Sequence, residues 1–418
     1  MKKTYASIRG TRDFNPSQAH LVQLIFQKAG AISKAFGYQE IILPVLEEEG
    51  LFKKSVGETT DIVERQIFRI AGKDNIVLRP EGTAQVIRYY LENSLYKQSD
   101  FHKLYYTGAM FRGERPQKGR LRQFHHIGVE AIGSDSVYLD AETIELAVTI
   151  LDAAGIKDKE LKINTLGCAK DKEKFAKNMK EQLVTRKSKL CEDCQRRLER
   201  NPLRVLDCKK DGCKDVVYSL NIKDQHLCDD CRKHFNTLRS LLDKLGIKYN
   251  YLPYLVRGLD YYTNMVFEVT SAKLGAQDAI GAGGRYNNLI QSLGGPQVPA
   301  IGFALGLERM LLLLKEEESS PSLEVFVATA SEDLLSESML TLRKLRRADL
   351  VADMDYCAKS LKAQLRRAQK LGAKFVIILG QEEQEKGLVI LKDMESATQE
   401  ELKLDEAIFK ISHHFRGE

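Results

Sequence analysis

Arg257, Asp260, Tyr261 and Tyr262 stand together in one short run, Leu-Val-Arg-Gly-Leu-Asp-Tyr-Tyr at residues 255–262. Gly258 lets the backbone turn closely between them. Arginine keeps its charge inside a protein, so Arg257 is a candidate fixed cation that needs no metal. The two phenols offer flat apolar walls with polar tips, suited to a small aromatic or heteroaromatic ligand. Taken alone, the segment also reads as a strand and turn with two core tyrosines.

Residues 111–130 read FRGERPQKGRLRQFHHIGVE, with four arginines and one lysine. Strand alternation sets Arg112 and Glu114 on one face of an outgoing strand, and Phe124, His126 and Glu130 on one face of a return strand. Buried-type residues (Phe124, Ile127, Val129) alternate with His126 and Glu130, so charge enters the inner face of a sheet and needs a partner. Arg112 could fork onto a phosphate or carboxylate, and Phe124 could stack on a purine. A solvated charged hairpin is the plain alternative.

Three further segments carry polar groups at element ends. Leu78-Arg-Pro-Glu-Gly-Thr83 sets Glu81, Gly82 and Thr83 at a helix mouth, either as plain capping or as recognition of an ammonium group. Ala282-Gly-Gly-Arg-Tyr286 allows close backbone approach to a ligand. Gly302-Phe-Ala-Leu-Gly-Leu-Glu-Arg309 runs from strand to helix and delivers Arg309 near the helix start, where an inward guanidinium needs an anion. Six of the eight cysteines lie in one region, as Cys191-x2-Cys194, Cys208-x4-Cys213 and Cys228-x2-Cys231. This is the spacing of structural zinc sites, in which four ligands of the six suffice; reduced thiols in a small insertion with a weak core are the alternative.

The chain has 418 residues, enough for two to three domains, with 43% hydrophobic and 29% charged residues and a net charge of +6. That balance suits a soluble globular protein and weakly favours polyanions. The N-terminus lacks the apolar run of a secretory signal, and the apolar stretch 310–314 is too short to span a bilayer, so the cytosol is expected. Asn15-Pro16 predicts a helix ending at Gly37, with Leu21, Leu24, Ile25, Ile32 and Phe36 as its buried stripe. A strand over 39–44 stopped by Pro44 follows, then a strand pair at 64–70 and 76–79, and a helix from Thr83. Residues 101–133 form a long hairpin, and 168–245 a mostly helical insertion. Residues 316–321 read as a linker to an alternating strand and helix pattern, implying a small α/β domain on a mostly parallel sheet.

The order of these motifs resembles the three motifs of class II aminoacyl-tRNA synthetases. RPEGT at 79–83, FRGERPQKGRLRQFH at 111–125, LVRGLDYY at 255–262 and AGGRY at 282–286 look like those of the histidyl-tRNA synthetases of bacterial size, over essentially the whole chain. The resemblance implies an α+β catalytic domain on an antiparallel sheet (1–167 and 246–318), a helical insertion (168–245) and a C-terminal α/β anticodon-binding domain (322–418). It also implies a cytoplasmic homodimer that activates L-histidine with ATP and Mg2+ and transfers it to tRNA(His).

Residue by residue, Arg112 matches the arginine at the α-phosphate, Arg309 the one on the γ-phosphate side, and Arg257 the family's special cation. Phe124 matches the adenine-packing aromatic, with Glu114 in the ATP site. Glu81, Gly82 and Thr83 match the ammonium site, and Glu130 and Tyr262, with Tyr261, the imidazole site. Arg115 and Gln117 match residues at the tRNA acceptor end, and Arg343, Lys344, Arg346, Arg347, Arg366 and Arg367 become candidates for the anticodon stem. His126 departs from a usual glutamine, and its protonated ring would add positive charge. Asn287 departs from a common aspartate. The six cysteines are absent from many members, so catalysis is expected not to need them. The rival is an inactive paralogue, the regulatory subunit of an ATP phosphoribosyltransferase, which is expected to lack the last domain and to have eroded catalytic arginines.

Overall fold

Asn15 accepts the Gln18 N–H at 2.8 Å and Pro16 opens the first turn, so helix α1 spans Pro16–Ala35. In this computed structural model the described residues are 5–57, 60, 62–208, 210–220, 222, 224–275, 278–314 and 323–417. The buried face of α1 is Val22, Ile25, Ala29 and Ser33; Leu24, expected in the stripe, is exposed because it points about 100° away from Ile25. The linker expected over 316–321 lies outside the described residues. The chain divides into two compact units, Met1–Glu316 and Glu317–Glu418.

The first unit is built on one eight-stranded sheet. Strand β1 is only Gln39–Glu40, shorter than the expected 39–44: the Ile41 N–H still reaches the Tyr105 carbonyl, and the chain then leaves the sheet ahead of Pro44. Strands β2 (Leu46–Glu48) and β3 (Ile76–Leu78) form a separate pair, followed in sequence by helices α2 (Glu49–Val56) and α3 (Thr83–Glu92). The strand expected over 64–70 begins instead as a wide helical turn, Ile62–Gln66; only Phe68 and Ile70 exchange backbone hydrogen bonds with β3. Strands β4 (His102–Phe111) and β5 (Gln123–Ile132) are the predicted long hairpin. Helix α4 is Val137–Ala153, strands β6 (Glu160–Thr165), β7 (Asn250–Tyr251), β8 (Thr263–Thr270), β9 (Ala279–Arg285) and β10 (Ala300–Gly306) complete the sheet, and the short helix α9 (Leu289–Ser292) joins β9 to β10. The sheet order is β1-β4-β5-β10-β9-β8-β6-β7; the outer ladders β1–β4 and β6–β7 are parallel and all ladders between them antiparallel.

The two faces of this sheet do different work. On one, Ile127, Val129 and Ala131 of β5 join Ile301, Phe303 and Leu305 of β10 and Phe267 of β8 in a core packed by α1 and α4. The other face carries Tyr106, Phe124, His126, Glu130 and Glu268, so strand periodicity alone selects the side chains that meet there. Between β6 and β7 the described residues make four α-helices, α5 (Ala169–Val184), α6 (Glu192–Arg200), α7 (Asp211–Tyr218) and α8 (Asp229–Lys244). Apolar residues of α5, α6 and α7, among them Phe175, Met179, Leu183, Leu198 and Val216, belong to the same buried cluster as Tyr261, Tyr262 and Tyr286, whereas Phe235, Leu238 and Leu242 of α8 join the core packed by α1 and α4. The insertion therefore has a core continuous with the sheet.

In the second unit, β11 (Val325–Thr329) lies between β12 (Ala352–Met354) and β13 (Phe375–Leu379) in parallel ladders. Strands β14 (Val389–Asp393) and β15 (Gln399–Leu402) continue the sheet antiparallel, so it is mixed and not mostly parallel. The sequence pattern missed β15, whose Gln399-Glu-Glu run has exposed side chains and no apolar alternation.

Arg285, a residue of the AGGRY segment, is 1% exposed and pairs with Asp140, which is fully buried on α4. Its remaining nitrogens donate to the carbonyls of Ser134 and Ser136, both at 2.9 Å. Removing one partner of such a pair strands a buried charge at about 3–5 kcal/mol. Asp140→Ala should lower the thermal midpoint of the full chain sharply in a differential scanning experiment; a midpoint within a degree or two of wild type, about the noise of single surface changes, would contradict this account.

Candidate active site

A cavity of about 530 Å3 opens on the polar face of the sheet. It brings together Glu81, Thr83, Arg112, Glu114, Phe124, His126, Arg257, Tyr261, Tyr262 and Arg309, residues scattered over more than two hundred positions of sequence. Of the site residues read from sequence, Glu130 and Gly82 lie just behind the wall, and Arg115 and Gln117 lie exposed on the loop between β4 and β5. That loop is pinned by reciprocal backbone hydrogen bonds between Gln117 and Arg120.

Arg112 donates through Nε to the Pro80 carbonyl at 2.9 Å, and its guanidinium lies 5.2 Å from the centre of the Phe124 ring. Burial works against its charge, and Glu81 opposes that loss. Arg257 is aimed by an ion pair that sequence reasoning missed: its Nη1 meets Glu268 Oε1 at 2.5 Å, and its buried Nε has no hydrogen-bond partner. Glu268 is the sixth position of β8, where Met265 and Phe267 alternate into the core, so its placement was readable only once the strand's face was known. Arg309, in the first turn of α10 (Leu307–Leu313), donates to the Gly119 carbonyl at 3.0 Å and the Ala279 carbonyl at 2.6 Å. Glu114 is ion-paired with Arg120, and Glu308 accepts the His125 N–H at 2.9 Å and its ring nitrogen at 2.8 Å.

The mouth of α3 is organised by Glu81. Its two oxygens accept the N–H groups of Thr83 and Ala84 at 2.8 and 2.9 Å, a cap made by a carboxylate instead of by Thr83. Thr83 uses its hydroxyl elsewhere, donating to Glu130 at 2.6 Å, while Tyr286 donates to the other Glu130 oxygen. Burial raises Glu130 to about 8 despite those two hydrogen bonds, and burial also raises Glu81. Gly302 makes this arrangement sterically feasible: a Cβ there would come 1.9 Å from Glu130 Oε2. Gly82 and Gly128 similarly flank the Tyr106 ring, where added Cβ atoms would come within 2.3 and 2.2 Å. Tyr261 and Tyr262 meet at 4.7 Å between ring centres, and Tyr261 meets Tyr286 edge-on at 5.7 Å.

His126 is corrected by its surroundings. Burial, then the charges of Arg112, Arg79 and His125, push it down to about 3, so the ring is neutral and adds no positive charge; its Nδ1 has no hydrogen-bond partner. Asn287 replaces an ionic role with backbone support, accepting the Ala300 N–H and donating its own N–H to Thr263, both at 3.2 Å.

The insertion reaches this cavity. Cys191, Arg197, Arg204 and Cys208 are among its lining residues. Arg204 donates to the Gly258 carbonyl and lies 3.3 Å from Asp260, which also accepts from Asn201 at 3.0 Å. Lys172 on α5 donates to the carbonyls of Asp260 and Tyr262, both at 2.8 Å. The six cysteines do not share one centre. Cys191, Cys194, Cys208 and Cys213 converge, with their sulfurs within 4.8 Å of one another, whereas Cys228 and Cys231 lie in a different group with Cys168 and Asp171.

The family model described as histidyl-tRNA synthetase matches residues 10–310, and the one described as an anticodon binding domain matches residues 324–414. A histidine–tRNA ligase of Desulforamulus reducens is 42% identical over 409 residues, covering 96% of this chain and 98% of that protein. One of Syntrophotalea carbinolica is 43% identical over 403 residues, 96% of each. The crystal structure of apo S. aureus histidyl-tRNA synthetase aligns with a TM-score of 0.82 at 31% identity, over 98% of this chain and 100% of that one.

Because His126 is held neutral, protonating it costs the folded state, so its contribution to stability diminishes only as pH falls below the ordinary histidine range. Nitrogen-15 spectra of histidine-labelled protein should show a His126 ring that does not titrate between about pH 5.5 and 8, with His126→Gln as the assignment control. A ring that titrates near the ordinary histidine value would remove the argument.

Proposed function

The chain belongs to the histidyl-tRNA synthetase family and acts as a histidine–tRNA ligase; from that premise we propose how its residues divide the work. Histidine and ATP are joined into histidyl-adenylate with release of pyrophosphate, and a ribose hydroxyl at the tRNA 3′ end then attacks the carbonyl and displaces AMP. The regulatory-subunit alternative falls away, because the full-length relatives are ligases and the anticodon-binding domain is present.

One observation carries the assignment of roles: Arg112, Arg257 and Arg309 line the same cavity as Glu81, Thr83 and the two phenols. Arg112 and Arg257 take the α-phosphate, where charge builds on non-bridging oxygens as the histidine carboxylate attacks. Because both guanidinium groups are already aimed, stabilising that charge needs little reorganisation. Arg309 takes the γ-phosphate side, and Phe124, backed by Arg112, packs on adenine. Magnesium arrives with the nucleotide as part of the substrate. The nearby carboxylates are already engaged, Glu268 with Arg257, Glu114 with Arg120 and Glu308 with His125. Glu114 then serves ATP through Arg120, as a support for the loop.

Glu81 and the Thr83 hydroxyl receive the α-ammonium group. Glu130 and Tyr262, with Tyr261 beside them, grip the two imidazole nitrogens, and His126 presents a neutral ring toward the amino-acid backbone. A competitor without those nitrogens would leave buried polar groups unpaired, a penalty that supports discrimination of about 10⁴ or more without editing.

Arg115 and Gln117 meet the acceptor end, and the exposed cations of helices α11 (Leu335–Arg347) and α12 (Leu361–Lys370) meet the anticodon stem through salt-sensitive phosphate contacts. Cys191, Cys194, Cys208 and Cys213 hold a structural zinc. The protein works in the cytoplasm as a homodimer, consistent with exposed Ile42, Val45 and Leu46 around the chain's exit from β1.

Arg257→Ala should cut histidine-dependent pyrophosphate exchange by about 10²-fold or more while the far-ultraviolet spectrum stays unchanged; exchange at wild-type speed would take Arg257 out of the chemistry. Glu130, lifted to about 8, favours its neutral form in the empty site, so stability contributed by that form is lost as pH rises toward 8. Imidazole binding to the ionised carboxylate should therefore tighten as pH is raised from about 6.5 to about 8.5. The histidine KM should fall across that range and lose this dependence in Glu130→Gln; an identical pH course in the variant would separate Glu130 from the ring.

A further inference from the structure

Two helices of the insertion start with the same device. Cys168 caps α5 and Asp171 follows in its first turn; Cys228 caps α8 and Cys231 follows in its first turn. One ligand atom from each of the four lies within 4.8 Å of every other. Around tetrahedral zinc, with Zn–S bonds of about 2.3 Å, sulfurs sit about 3.8 Å apart, so a small contraction completes a shell.

We propose that Cys168, Asp171, Cys228 and Cys231 form a second zinc site at the base of the insertion, separate from the Cys191 group. Asp171 is 1% exposed, and its Oδ1 has no hydrogen-bond partner while Oδ2 accepts the Cys228 N–H at 3.1 Å. A buried carboxylate oxygen without a hydrogen bond, set among three thiols, has the chemistry of a cation ligand. Gly167, at φ +71°, clears space for it: a Cβ there would meet the Asp171 Cβ at 2.4 Å and Oδ2 at 2.7 Å. Cys231 Sγ accepts the Cys168 N–H at 3.2 Å and faces the Asn264 amide at 3.8 Å, the outer-shell donors that orient a metal-bound thiolate. All eight cysteines are free of disulfides. Three sulfurs and one carboxylate form a soft donor set that selects zinc over magnesium or calcium. The net negative charge of the loaded site falls between two helix N-termini, which favour it.

The position gives the site a consequence for catalysis. Cys168 leaves β6 and Cys231 begins the helix that returns the chain to β7, so the metal closes the loop of the whole insertion. Lys172, next to Asp171, holds the backbone carbonyls of Asp260 and Tyr262. Lys172 is thus a positioning residue for the phenol pair, and the zinc fixes the helical turn from which it reaches.

The test is zinc content of the full chain, purified under reducing conditions and measured by plasma mass spectrometry, together with histidine kinetics. Wild type should carry about two zinc ions per chain. Cys228→Ser/Cys231→Ser and Cys191→Ser/Cys194→Ser should each retain about one, and the former should raise the histidine KM more than it lowers kcat. A single ion that survives Cys228→Ser/Cys231→Ser and disappears with Cys191→Ser/Cys194→Ser overturns the proposal. The converse pattern supports it and instead removes the Cys191 reading. Asp171→Cys guards against a misfolded variant: in the cobalt-substituted protein it should strengthen the thiolate-to-metal absorption, and an unchanged spectrum would equally sink the second site.

Discussion

Arg112, Arg257 and Arg309 converge on one cavity, and like charges brought together away from water repel. Arg112 and Arg257 each weigh against the charge of Arg309, and Arg257 weighs against that of Arg112. The fold supports this cluster largely with oriented backbone carbonyls, those of Pro80, Gly119 and Ala279, with the Glu268 carboxylate paired to Arg257, and with Glu81 favouring the charge of Arg112. Carbonyl dipoles fix direction without cancelling charge, so the cluster keeps its field for a polyanion. Much of the sheet's design follows: strands that aim alternate side chains one way, and glycines where bulky groups must lie flat against them.

The same logic explains why an insertion is part of the site. Residues 255–262 have no regular secondary structure, yet they carry a cation and two phenols that must hold still. Lys172, Arg204 and Asn201 grip that segment by its carbonyls and by Asp260. The apolar side of the insertion helices continues into the packing around Tyr261, Tyr262 and Tyr286. A loop is thereby tied to the regular elements around it, a common way for a scaffold to present functional groups.

One end of the cavity gathers buried carboxyl and phenol groups, and the other gathers guanidinium groups. Burial raises Glu130 to about 8 and lowers His126 to about 3, so both favour their neutral forms in the empty site, and burial also raises Glu81. Such groups cost the fold something and acquire their full partners only with ligand bound, a trade between stability and specificity typical of binding sites.

Much of this was legible in the sequence. Asn15-Pro16 announced α1, Phe124, His126 and Glu130 announced the polar face of the return strand, and LVRGLDYY announced a cation beside aromatic walls; Arg112 and Glu114, expected on the outgoing strand, lie beyond its end at Phe111. The misses have physical causes. The short β1 and the wide helical turn at 62–66 depend on distant partners such as Tyr105 and β3, which local propensity does not register. Exposed β15 has no apolar alternation to read. Glu268 and Asp140 were passed over because a lone carboxylate in an apolar run has no meaning until its guanidinium is opposite.

The sequence by itself determined the chemical inventory, the order of the motifs, the family they resemble and the cap of α1, because these depend on residue types and near neighbours along the chain. Tertiary structure alone decided that His126 is neutral, that Glu268 aims Arg257, and that the cysteines divide into two groups with Asp171 drawn into one. Each of those rests on burial or on an approach between residues far apart in the chain, quantities that exist only after the backbone has closed around them.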